Sequence, residues 1–108
     1  MTRVYVCSPF RGDIDLNIIN AREYCRKIYE KGCVPIAPHL YFPQFLKDEE
    51  EQERNDTMKF NKSLIEDCAD LVICGDNVSD GMIDEIIHAS KNHKRIWRLD
   101  DFLRSGIS

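Results

Sequence analysis

The sequence lacks an excess of positive charge, paired cysteines and long apolar runs, and each absence removes a class of function. Its 15 Lys and Arg are outnumbered by 19 Asp and Glu, for a formal net charge of -4. The two signs are mixed along the chain, so no basic face is expected to track a phosphate backbone, and polymeric DNA or RNA is not an expected partner. No apolar run approaches the roughly 20 residues that span a bilayer, and Met1-Thr2-Arg3-Val4-Tyr5 enters a strand pattern at once instead of a signal peptide. The expectation is a cytoplasmic protein with no membrane partner. Cys7, Cys25, Cys33, Cys68 and Cys74 are odd in number, stand singly in apolar segments and form no C-x-x-C pair, which reads as reduced core residues. His39, His88 and His93 fall at no ligand spacing from them, so neither a metal nor a cofactor is expected. There is no glycine-rich triphosphate loop and no G-x-G-x-x-G, which argues against ATP hydrolysis and NAD redox chemistry.

What is present is a globular composition, 43% hydrophobic and 31% charged over 108 residues, sized for one domain across 1–108. So short a chain buries a modest share of its surface, and a homo-oligomer, dimer or higher, is expected on that ground. Arg3 to Ser8 reads as a strand and runs into the turn-rich Pro9-Phe10-Arg11-Gly12-Asp13. Leu16, Ile18, Ile19, Tyr24, Ile28 and Tyr29 keep helical spacing from about Asp15 to Lys31, with Asp13 or Asp15 as N-cap and Gly32 as stop. Cys33 to Ala37 is a second strand, followed by an aromatic loop, Pro38 to Phe45, broken by two prolines. The acidic run Asp48 to Glu53 suits the first turn of a helix that continues through Met58, Leu64 and Cys68. Asp70 to Gly75 is the clearest buried strand; a helix over about Asp80 to Asn92, a strand at Arg95 to Leu99 and a short helix near Asp101 to Arg104 complete the chain. Alternating strands and helices predict an α/β three-layer sandwich, flavodoxin-like or Rossmann-like, on a parallel sheet of four or five strands in the order 2-1-3-4.

In such a sheet a ligand lies beyond the carboxyl ends of the strands, where strand order reverses. That crevice would be lined by Ser8 to Asp13 after strand one and by Gly75 to Gly81 after strand three, with the aromatic loop beside them. Helical spacing places Met82, Ile83, Ile86, Ile87 and Ser90 on one face and Asp84 and His88 on the other. Glu85 falls on the border, within about two turns of the helix start, where unpaired N–H groups favour an ionised carboxylate. Gly81 removes bulk where a ligand would approach, and Ser79 offers a hydroxyl and a backbone N–H. The plainer alternative is that Glu85 is a solvated helix residue and Ser79 only an N-cap.

Ser79-x-Gly81-x-x-x-Glu85 with small Ala89 after it, preceded by the strand Ala69 to Ile73, resembles the nucleophile segment of nucleoside 2-deoxyribosyltransferases. It is equally similar to that of their relatives, the 2'-deoxynucleoside 5'-monophosphate N-glycosidases. Val4-Tyr5-Val6-Cys7-Ser8-Pro9-Phe10-Arg11-Gly12 resembles the same superfamily's first strand and phosphate-side loop. The resemblance implies cleavage or transfer at the N-glycosidic bond of a nucleoside or nucleotide, through a covalent glycosyl-enzyme. Glu85 would be the nucleophile and Tyr5 its neighbour near the sugar; Ser8, Phe10, Arg11, Gly12, Ser79 and Gly81 would bind substrate. Serine at 79 and arginine at 11 resemble the monophosphate-hydrolysing branch, and a guanidinium can hold a 5'-phosphate by paired hydrogen bonds. Arg11 as an exposed loop cation is the alternative.

The chain departs from the resemblance where relatives carry an aspartate that assists the leaving base, the nearest match being Asn61 or Lys62. An amide cannot replace a carboxyl group in proton transfer, which moves that role to Asp76, Asp80 or solvent, or favours a non-catalytic binder of a nucleotide or nucleotide-derived signal. In the aromatic loop, Tyr41 or Phe42 would stack on the base and His39 or Gln44 would hydrogen-bond its edge. Phe42 and Phe45 serve equally well as core or interface residues.

Overall fold

A computed structural model describes residues 1–108. The alternation read from the sequence is present: β1 (Arg3–Cys7), α1 (Ile14–Glu30), β2 (Val34–Ile36), α2 (Glu51–Asp67), β3 (Asp70–Ile73), α3 (Asp80–Lys91), β4 (Arg95–Arg98) and α4 (Leu99–Arg104). The sheet has four strands, all parallel, in the order β2-β1-β3-β4, as the sequence predicts.

Local chemistry sets the ends of the helices. Asp13 caps α1 by accepting from the Leu16 N–H at 3.2 Å, and Gly32, at φ +88°, takes the chain out of it. Ser79 caps α3 by accepting from the Met82 N–H at 3.3 Å. The acidic run is only half helical: α2 starts at Glu51, and the Glu53 carboxylate accepts from the Lys47 N–H at 3.0 Å. The aromatic loop folds into two 3-10 turns, Pro38–Leu40 and Phe42–Gln44.

Side chains of a strand alternate between faces, and β1 uses this to divide the protein into two packed layers. Val4 and Val6 join Ile28 of α1, Val72 of β3 and Phe102 of α4. Tyr5 and Cys7 point the other way, toward Ile65 of α2 and Met82 and Ala89 of α3. In register, Cys7 lies opposite Ile73, so β1 and β3 end level and their following loops are neighbours at the carboxyl edge. Ile83 and Ile87, expected on the packed face of α3, are 43% and 46% exposed.

One charged side chain is fully buried. Asp70, which looked like no more than the first residue of a strand, accepts from Arg95 and from the Trp97 indole N–H, both at 2.7 Å. It thereby ties β3 to β4 through side chains as well as through the ladder.

Candidate active site

At the carboxyl edge, where strand order reverses between β1 and β3, lies an open cavity of about 540 Å³. Eight residues singled out from the sequence line it. Ser8, Phe10 and Arg11 come from the loop after β1, His39 from the first 3-10 turn, Asn61 from α2, and Ser79, Gly81 and Glu85 from the start of α3. Tyr5 lies beneath the cavity, fully buried, in contact with Glu85. Gly12 is outside the wall; its φ of +97° serves the turn between β1 and α1. A Cβ at Gly81 would meet nothing within 4 Å, so that stretch of wall is open to a ligand.

Glu85 lies where helical spacing puts it: the buried stripe of α3 runs through Met82, Ile86 and Ala89, and Glu85 is half-buried at its border, beside Met82 and Ala89 and facing the cavity. Its carboxylate is therefore held in a mostly apolar layer by three donors. The Tyr5 hydroxyl donates to Oε2 at 2.5 Å, the Asn61 amide to the same oxygen at 3.4 Å, and the Cys7 thiol to Oε1 at 3.6 Å. Burial pushes the Glu85 pKa up, and the three donors pull it back only in part. Burial first, and then the nearby Glu85 charge, drive the Tyr5 and Cys7 pKa values up, so both keep their protons and act as donors.

Cys7 was read from the sequence as core filler. Its position two residues after Tyr5 puts both side chains on the same face of β1, and that period-two relation is the signal that could have found it. A thiol is a weak donor and a hydroxyl a stronger one. Cys7→Ser is expected to lower the Glu85 titration midpoint by about one pH unit, since a hydrogen bond to a charged group contributes about 1.5–3 kcal/mol. Cys7→Ala should raise it. NMR titration of the Glu85 side-chain carboxyl measures both.

His39 Nε2 is 2.8 Å from the Ser8 hydroxyl, and burial lowers its pKa to about 4. Because the unfolded chain takes up that proton near pH 6.5 and the folded one does not, stability is fully present above pH 6.5 and falls as the pH drops toward 4. The loss should reach about 2–3 kcal/mol at pH 4, at about 1.4 kcal/mol per pKa unit. Urea unfolding of His39→Gln between pH 7 and 4 should show a shallower decline.

The rim is charged with both signs. Arg11, 66% exposed, pairs with Asp48 at 2.8 Å; a phosphate there would have to displace that partner. Arg54 and Lys62 of α2 line the wall with no carboxylate partner within 4 Å, while α3 contributes Asp80 and Asp84. Arg54 was not found from the sequence, where it is one more charge in a polar helix. Of the aromatic loop, Phe42 and Pro43 reach the cavity along with His39. Tyr41 and Phe45 meet edge to face with centroids 5.1 Å apart, and Gln44 is spent on the Leu40 carbonyl at 2.8 Å. No cluster of three or more His, Cys, Asp or Glu is placed to hold a metal ion, and no helix is long and apolar enough to cross a membrane.

The fold is that of solved deoxyribosyltransferases. A 2-deoxyribosyltransferase from the psychrotolerant Bacillus psychrosaccharolyticus superposes with a TM-score of 0.73 at 16% identity, over 89% of this chain and 70% of that one. A 2-desoxiribosyltransferase from Leishmania mexicana gives a TM-score of 0.63 at 14% identity, over 91% of this chain but only 63% of its own length. At these identities the likeness is one of architecture. No curated protein matches the chain in sequence. Residues 2–99 match the family described as a domain of unknown function, DUF7768, and the chain belongs to that family.

Proposed function

We propose that the protein cleaves, or transfers at, the N-glycosidic bond of a nucleoside or its 5'-monophosphate, with Glu85 as the nucleophile. The observation that carries this reading is a half-buried carboxylate facing a 540 Å³ cavity with a phenol fixed on one oxygen at 2.5 Å. In that setting Oε2 is held for orientation by Tyr5 and Asn61, while Oε1, which takes only the weak Cys7 thiol at 3.6 Å, is the oxygen for attack on an anomeric carbon. Attack through an oxocarbenium-like transition state gives a glycosyl-enzyme. As C1' takes on positive charge, the poorly solvated Glu85 carboxylate stabilises it, and the Tyr5 proton shields the spectator oxygen. Water then completes hydrolysis, or a second base completes transfer.

The remaining wall suits such a substrate. Phe10 and Phe42 supply aromatic wall beside which a base can pack, while Ser8 and neutral His39 offer polar atoms to its edge or to the sugar. Ser79 keeps its hydroxyl proton while its oxygen caps α3, and Arg54 supplies an unpaired cation for a phosphate. The architecture shared with deoxyribosyltransferases supports the same assignment. Incubation with ribo- and deoxyribonucleosides and their monophosphates, with and without a second base, should release free base, and the products tell hydrolysis from transfer. Absence of base release from the whole panel would defeat the reading. Asn61 favours one other possibility, a binder that keeps the crevice without turnover; saturable binding with no product at high protein concentration would identify it.

A further inference from the structure

The leaving base, and not the sugar, is where this cavity is unusual. When a neutral purine or pyrimidine departs, the C1'–N electron pair makes its nitrogen an anion unless a proton is supplied, and a positioned acid contributes about 10²–10⁴-fold. The wall offers no acid beside the nucleophile, and its one ammonium, Lys62, is exposed to solvent. The His39 ring, held near a pKa of 4, is neutral. Asp48 is tied to Arg11, and guanidiniums do not give up protons. Asp80 and Asp84 are exposed on α3, away from the buried layer that holds Glu85. The protons of Tyr5 and Cys7 are committed to Glu85 in a buried layer. Beside the nucleophile stands an amide, Asn61, whose Oδ1 is buried without any partner. An orphaned buried acceptor costs about 1–3 kcal/mol and marks a place where a ligand donor is missing.

We propose that the cavity takes N-glycosides whose base is already cationic, a pyridinium nucleoside or its 5'-phosphate bearing an amide N–H for Asn61 Oδ1. This rests on the glycosidic reading above and narrows it. A Glu85 oxygen bonds to C1' as the C1'–N bond breaks, and the released electron pair cancels the positive charge of the ring nitrogen, so the base leaves neutral with no proton added. Water then adds at C1', freeing the Glu85 carboxylate and giving its proton to solvent. The surroundings fit a flat cation: Phe10 and Phe42 are aromatic members of the wall, and the wall holds four carboxylates against three cations, one of them already paired with Asp48.

The test compares the full chain on nicotinamide riboside and its 5'-monophosphate against adenosine, 2'-deoxyadenosine and their monophosphates, with base release resolved chromatographically and spontaneous hydrolysis subtracted. The pyridinium substrates should show a kcat/KM at least about 100-fold above the best neutral one. Because a pyridinium is also the better leaving group intrinsically, the ratio is checked in Asn61→Asp. A carboxyl there should raise neutral-nucleoside turnover relative to pyridinium turnover at least about tenfold. Asn61→Ala should raise KM for nicotinamide riboside without creating that gain. Neutral nucleosides cleaved as fast as pyridinium ones, or a ratio unmoved in Asn61→Asp, would overturn the inference while leaving Glu85 chemistry intact. Cleavage of neither class would overturn both readings.

Discussion

Glu85→Gln is expected to reduce turnover by about 10³-fold or more while leaving the protein as stable as before, or more so. The loss follows from chemistry: an amide is a poor nucleophile, and removing the group that bonds to the reacting atom costs on the order of 10³–10⁶-fold in enzymes where such groups have been removed. The stability side follows from burial. Glu85 flanks the stripe of α3 that packs on β1, half-buried, and desolvation is the largest influence on its charge. Glutamine keeps the shape and keeps an acceptor for the Tyr5 hydroxyl while removing the buried charge, so a gain of about 0.5–2 kcal/mol is in range. Because the folded-state pKa of Glu85 is raised, the native protein binds more protons than the unfolded chain just above the usual carboxylate range, and stability declines there as pH rises. Glu85→Gln should remove that decline. Base release and calorimetric melting on the same samples separate the two effects; retained turnover would remove Glu85 from the reaction.

Asp70→Ala should cost about 3 kcal/mol of folding stability. The carboxylate has no exposed side-chain surface, and the change strips the Trp97 indole N–H and the Arg95 guanidinium of their partner at once. Arg95 is 53% exposed and can turn to water, so Arg95→Gln should cost less than about 1 kcal/mol. Urea midpoints of the two variants test this asymmetry, and equal costs would contradict it.

Strand order, the caps at Asp13 and Ser79 and the convergence of Ser8, Arg11, Ser79 and Glu85 were legible because each depends on a local pattern or on the topology that such patterns imply. The facing of α3 was not. Ile83 and Ile87 are as apolar as Met82 and Ile86, so spacing yields a stripe without saying which edge of it meets the sheet; packing turned the Met82 and Ala89 edge inward, with Glu85 beside it. Cys7 was hidden for a related reason. Every residue of Val4 to Cys7 is buried, and a strand covered on both faces shows no alternation between polar and apolar to separate core filler from a contact with Glu85. Asp70 gave no sign of its burial, since its partners lie 25 and 27 residues away. The orphaned oxygen of Asn61 is likewise a property of packing alone.

Tyr5 and Glu85 stand 80 positions apart, one on the first strand and the other on a helix near the far end of the chain. Closing so long a span is among the slower events of assembly, and it must be complete before the phenol can reach the carboxylate. The Glu85 proton is therefore a reporter of finished folding. A refolding chain whose strands and helices have formed separately would titrate there like an ordinary surface glutamate, and would change only when its two ends are brought together.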